Sequence, residues 1–283
     1  MSDHGGPAVF HAAYRAVLRR WPQPVRGLDV PTAYGSTRVH IWGDQDGAPL
    51  VLLPGGGDTS AVWFAAAGEL GRRHRVYAVD LLGDFGLSVP EGRPLRRPGD
   101  LMAWLDQVYD ALELTDGAHL CGHSYGAWIA LHYALHAPHR VGRLALLEPT
   151  GCFTGLRPGY LAHAIPLLLG TTPERLRRFR RWESGGEPAE AVWREFLDST
   201  AHAHRTKVFP MRRPPAAGLR GCAVPTLVLV AERSRAHDPG KVAAGARRLL
   251  PRVTVDTLPG VSHHSLPTER PDELCRQLLE FLK

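Results

Sequence analysis

The chain has 283 residues, 44% of them hydrophobic and 22% charged, with a formal net charge of +6. That much apolar material excludes a disordered chain, and no apolar run reaches the ~18–20 residues that span a bilayer. The mild positive charge, without interleaved aromatic and basic residues, gives no reason to expect nucleic acid or a membrane as a partner.

The length admits one large domain or two small ones. Four cysteines, Cys121, Cys152, Cys222 and Cys275, are scattered and form no CxxC pair. The reading is reduced thiols in a cytoplasm, with no metal site. Met1 to Val9 lacks a basic stretch followed by an apolar one, so no secretory signal is expected. The excess of arginine over lysine reads first as coding bias.

In chain order, the residues up to about Gly6 read as a loose tail. Phe10, Tyr14, Val17, Leu18 and Trp21 recur at helical spacing over Phe10 to Arg20, until Pro22 and Pro24 stop the helix. Thr37 to Trp42 alternates as an antiparallel strand does. Leu50 to Leu53 is apolar without alternation, the mark of a strand buried on both faces. It ends in Pro54-Gly55-Gly56-Gly57.

A helix is expected over Ala61 to Arg72, a strand over Arg75 to Leu81, and a Gly-rich loop over Gly83 to Ser88. Asp100 to Leu114 places Leu101, Trp104, Leu105, Val108 and Leu112 on one helical stripe. Further strands are expected at Gly117 to Cys121, Val141 to Leu147, Thr226 to Ala231 and Val253 to Thr257. Helices are expected at Tyr125 to His136, Lys241 to Leu250 and Asp272 to Leu282. This alternation predicts an α/β fold, a mostly parallel central sheet flanked by helices.

Between Pro149 and Cys222 the alternation stops and the chain reads helical. The expectation is a single domain over 1–283, with a core of 25–149 and 222–283 and a helical insertion at about 150–221. Arg175, Arg177, Arg178, Arg180 and Arg181 crowd one stretch of it. They read as a solvated helix face, or else as a basic rim that steers an anionic substrate.

Gly122-His123-Ser124-Tyr125-Gly126 fits G-x-S-x-G between an expected strand and an expected helix. The glycines permit a strained turn that holds the Ser124 hydroxyl out above a helix N-terminus, where partial positive charge favours an oxyanion. A serine needs a base, and the base needs an orienting group. His263 follows the last strand, where a loop can reach such a turn; His264 is its adjacent competitor.

These features together resemble the α/β-hydrolase fold superfamily, from about Val39 to Leu282. Leu53 to Gly57 with Trp63 resembles the oxyanion loop, Asp80 to Ser88 (DLLGDFGLS) the family's D-x-x-G-x-G-x-S segment, and Gly260 to His263 the histidine loop. The resemblance implies a cap at the insertion and oxyanion donors at the Gly56 and Tyr125 amides. Pro54 stands where His is usual, which backbone donors survive.

The resemblance also places the acid three residues after the strand before the last crossover helix, where this chain has Ser234. Two carboxylates offer themselves instead. Asp238 begins the next helix, where capping also explains it. Glu148 ends the strand after the nucleophile's helix, 24 residues beyond Ser124, as in one group of haloalkane dehalogenases. Burying Glu148 there requires hydrogen bonds that a histidine would supply.

Asp58 follows the triple glycine toward the same mouth and reads as a helix cap together with Thr59 and Ser60, with a substrate contact as the alternative. Gly57, Trp63, Phe64, Phe85 and Trp128 are candidates to line an acyl pocket or to pack as core. The expected function is a cofactor-free serine hydrolase acting on a small-molecule ester, thioester or lactone, with Ser124, His263 and Glu148 as its triad. Acyl transfer, C–C cleavage or cyclisation at the same site, and a ligand-binding receptor, are the alternatives. The sequence carries no signal of oligomeric state.

Overall fold

In the computed structural model, which describes residues 6–283 apart from 169, 171, 189 and 203–210, strands and helices alternate through much of the chain, but only helices lie among the described residues between Leu147 and Thr226. They run α1 (Gly6–Leu18), β1 (Arg26–Thr32), β2 (Gly35–Gly43), β3 (Ala48–Leu53), α2 (Ala67–Gly71), β4 (His74–Val79), β5 (Val89–Pro90), α3 (Pro98–Ala111), β6 (Ala118–His123), α4 (Tyr125–His136) and β7 (Val141–Leu147). After them come α5 (Pro158–Leu168), α6 (Pro173–Ser184), α7 (Ala191–Ser199), α8 (Ala216–Arg220), β8 (Thr226–Ala231), α9 (Pro239–Leu249), β9 (Val253–Leu258) and α10 (Pro271–Phe281). The expected N-terminal tail falls largely outside the described residues.

The strands form one sheet in the order β1-β2-β4-β3-β6-β7-β8-β9, with β5 on β2. From β4 to β9 every pairing is parallel, whereas β2 pairs antiparallel with β1, β4 and β5. The unbroken apolar runs have the cause expected of them: both faces are covered. Val51, Leu53, Leu120, Leu146 and Val228 pack with α3, α4 and α9. Leu50, Leu52, Cys121, Leu147 and Leu229 pack with α1 and α10.

Three expectations need correction. β1 is a strand that the sequence does not announce, because only Val30 of its seven residues is buried. The helix expected over Ala61 to Arg72 is two short pieces, a 3-10 turn at Ser60–Ala65 and then α2. The first helix begins at Gly6, ahead of Phe10.

Asp80 fixes the loop after β4 to the opposite layer. Its carboxylate accepts the Ser60 and Leu87 backbone N–H groups at 2.8 and 2.7 Å, the Ser60 hydroxyl at 2.7 Å and the Tyr14 hydroxyl at 3.0 Å. Asp80 is fully buried, so deleting the carboxylate leaves the Ser60 and Leu87 N–H groups unpaired and dry, while the two hydroxyls keep only each other and His40. Asp80→Ala is expected to cost at least ~3 kcal/mol in urea unfolding; a loss below ~1 kcal/mol would show that the loop has other anchors.

Candidate active site

Ser124 sits between β6 and α4 with φ +51°, in the left-handed region that a serine enters only under constraint. The constraint is crowding. A Cβ on Gly122 would lie 2.3 Å from the Gly126 carbonyl oxygen, and one on Gly126 would lie 2.4 Å from that of Pro54. Only glycines let β6, α4 and the loop after β3 approach this closely.

The Ser124 Oγ lies 2.9 Å from His263 Nε2, and His263 Nδ1 lies 2.9 Å from Glu148 Oε2. Glu148 is wholly buried and His263 is 2% exposed. A buried carboxylate beside Nδ1 holds the proton there, which leaves Nε2 to accept from the serine hydroxyl. Burial, reinforced by the imidazoles of His264, His123 and His237, holds the His263 pKa well below the usual histidine range. The ring is therefore neutral near pH 7.

Glu148 follows β7 directly, with φ +48°, and is held by donors on and just after the next strand. Oε1 accepts the Ala231 N–H at 2.8 Å, and Oε2 accepts the Ser234 hydroxyl at 2.6 Å. Ser234, which stands where the resemblance expects an acid, instead donates to the displaced one. Asp238 lies outside this network. It caps α9 through Lys241 N–H at 3.1 Å and pairs with Arg157. His264 faces Tyr160, whose hydroxyl lies 3.0 Å from its Nε2.

Four further groups join the site that the motifs do not single out. Thr150 Oγ1 lies 3.1 Å from Ser124 Oγ and 3.0 Å from Nε2 of the buried His237. His123 donates its Nε2–H to the His263 carbonyl at 2.8 Å. Glu183, on α6, accepts the backbone N–H of His263 and of His264 and the Ser262 hydroxyl, at 3.0, 3.2 and 2.8 Å. A helix between β7 and β8 thus grips the histidine loop. A helical stripe is the signal that could have found Glu183: with Leu176, Phe179 and Arg180 it recurs at i, i+3, i+4 and i+7 along α6.

Glu148, His237 and His263 bring ligand atoms within 4.8 Å of one another, the spacing of a metal donor set. In this structure Glu148 Oε2 and His263 Nδ1 are bonded to each other, His263 Nε2 to Ser124 and His237 Nε2 to Thr150.

A cavity of about 580 Å³ adjoins the site, lined by Gly56, Gly57 and Phe85 from the loops after β3 and β4 and by side chains of α5, α6 and α7. The Gly57 N–H is tied to Asp84 Oδ2 at 2.9 Å, which sets the course of the glycine loop. Two aromatic candidates are corrected. Trp63 and Trp128 are fully buried and do not line this cavity. Trp63 packs in the layer below, and Trp128 stacks on Tyr125 while donating its indole N–H to the Arg212 carbonyl at 2.8 Å. Asp58 is no cap either: Thr59 caps the 3-10 turn, and Asp58 lines the cavity.

The sequence matches the family described as "Alpha/beta hydrolase family" over residues 50–277. The chain belongs to the alpha/beta hydrolase family. Among curated relatives of this alpha/beta hydrolase, an uncharacterized carboxylesterase, nap, of Bacillus subtilis strain 168 is 26% identical, over 99% of this chain and 94% of its own length. Carboxylesterase YbfK of the same strain is 27% identical, over 96% and 93%. The crystal structure of naproxen esterase (carboxylesterase NP) from Bacillus subtilis superposes with a TM-score of 0.91 at 24% identity, covering 100% of this chain and 99% of the other.

Proposed function

We propose that this alpha/beta hydrolase is a serine carboxylesterase, a reading that rests above all on the unbroken hydrogen-bond line from Ser124 through His263 to Glu148. Ser124 attacks the ester carbonyl while His263 Nε2 takes its proton. Glu148 holds the imidazole in the reactive tautomer and balances the imidazolium that forms. The imidazolium returns the proton to the leaving alcohol, and a water activated by His263 then releases the acid.

Gly56 and Tyr125 N–H groups receive the oxyanion, each contributing ~3–4 kcal/mol to the transition state. Gly56 lines the cavity and Tyr125 opens α4, the positions such donors need. Residues 150–221 act as a cap, and the cavity beneath them takes one side of the substrate. Likeness to two carboxylesterases over nearly the whole chain supports the same reading. A cytoplasmic location agrees with four buried cysteines, none of them in a disulfide.

The test is turnover of p-nitrophenyl butyrate by the full chain, with its pH profile. His263 must be neutral to act, and its pKa is held low, so the acidic limb of kcat/KM is expected below pH ~6.5, the ordinary histidine value. Absence of turnover would overturn the reading. A limb at or above pH 6.5 would contradict the assignment of His263 as the buried base. Added methanol should raise total turnover without diverting the acyl group wholly to methyl ester, which separates a hydrolase from an acyltransferase.

A further inference from the structure

The arginine run on α6 divides by direction. Arg175 bonds the Gly170 carbonyl, Arg177 pairs with Asp198 and Arg181 with Glu187, all on the exposed side. Arg180 turns inward on the same stripe as Phe179 and Glu183 and lines the cavity. Its Nη1 and Nη2 donate to neutral acceptors only, the Leu197 carbonyl at 2.6 Å and Thr200 Oγ1 at 3.2 Å. Among the described residues no carboxylate stands within ion-pair distance of it. A guanidinium has five N–H groups, so three remain for a ligand.

Asp58 and Glu269 also line this cavity, and Asp58 attracts Arg180 without touching it. Asp58 is 9% exposed, and its buried Oδ1 has no hydrogen-bond partner among the described residues. Burial pushes its pKa up to about 7, so near neutrality much of it is uncharged and is a poor counter-ion. The rest of the wall is mainly apolar, with Phe85, Leu176, Phe179, Trp193 and Leu197. One planar cation with a few free N–H groups, set in an apolar cavity beside an acid, fits a single carboxylate. A phosphate dianion needs more donors than the N–H groups that one guanidinium has left.

We propose that Arg180 anchors a free carboxylate carried by the substrate, so that the preferred substrates are small esters bearing a carboxylate distant from the scissile bond. This rests on the ester-hydrolase reading above. The carboxylate sits in the acyl half or in the alcohol half, and the test separates the two.

Mono-p-nitrophenyl succinate, glutarate and adipate are compared with p-nitrophenyl butyrate, valerate and hexanoate for the acyl half. 4-(Butyryloxy)butanoate is compared with butyl butyrate for the alcohol half. In at least one pair kcat/KM is expected to be about 10-fold higher or more for the carboxylated ester, through KM. Arg180→Gln brings that ratio to one or below, and Arg180→Lys, which keeps the charge, retains a ratio above one. Asp58→Asn keeps or raises it. Ratios of one or less throughout the wild type, or a ratio that Arg180→Gln leaves unchanged, would overturn the proposal, as would loss of the ratio in Asp58→Asn alone.

Glutarate binding gives a readout independent of turnover. Glutarate is expected to raise the Tm of the wild type but not of Arg180→Gln. If no ester is hydrolysed, the hydrolase reading fails, and the glutarate shift still decides the anchor. Equal shifts in both proteins, or none in either, count against it.

Discussion

Exchange of Glu148 for Gln will lower kcat/KM for a simple ester by about 10³–10⁴-fold, the scale on which a triad is impaired when its acid becomes an amide. The two side chains have nearly the same shape, so packing around β7 and β8 survives. The electrostatics do not. Glu148 receives three donors, from Ala231, Ser234 and His263, and all three are satisfied only by an acceptor with two oxygens. Gln presents an NH2 group to one of them and no charge to the imidazolium. His263, already held low by burial, becomes harder to protonate in the transition state. A loss below tenfold would remove Glu148 from the acid's role, and Asp238→Asn, with its exposed carboxylate at a helix cap, is expected to change nothing.

Replacing Ser124 by Ala will have the larger effect, about 10⁶-fold in kcat. Alanine tolerates the left-handed turn no better and no worse than serine, so the fold and Tm should stay close to wild type. What disappears is the hydroxyl placed 2.9 Å from His263 Nε2. Thr150 Oγ1 lies close by, but its described partners are Ser124 and His237, not the base. Near wild-type turnover in Ser124→Ala would mean that another group attacks.

The parts of this molecule that follow from local chemistry were legible in the sequence. Leu50 to Leu53 reads as a doubly buried strand because nothing polar interrupts its apolar run, and the structure buries it on both faces. The G-x-S-x-G turn was readable because its glycines answer a backbone demand. Glu148 was readable because a carboxylate ending an apolar strand needs a reason to be there.

What escaped depends on contacts between distant segments. β1 carries almost no burial of its own and exists as the antiparallel partner of β2. Trp63 and Trp128 point away from the cavity, a direction set by packing that local pattern does not encode. Ser234 reads as a missing acid until Glu148 is seen 2.6 Å from its hydroxyl. Glu183 meets the histidine loop across 80 residues of chain, and only its place on the inner stripe of α6 hinted at it.

The most direct measurement is intact mass after exposure to a fluorophosphonate, on the wild type and on Ser124→Ala. An activated serine is phosphonylated because His263 draws its proton as the phosphorus is attacked. One adduct is expected on the wild type, located at Ser124 by peptide mapping, and none on Ser124→Ala. No adduct on the wild type, or one that persists in Ser124→Ala, would rule out Ser124 as the activated nucleophile.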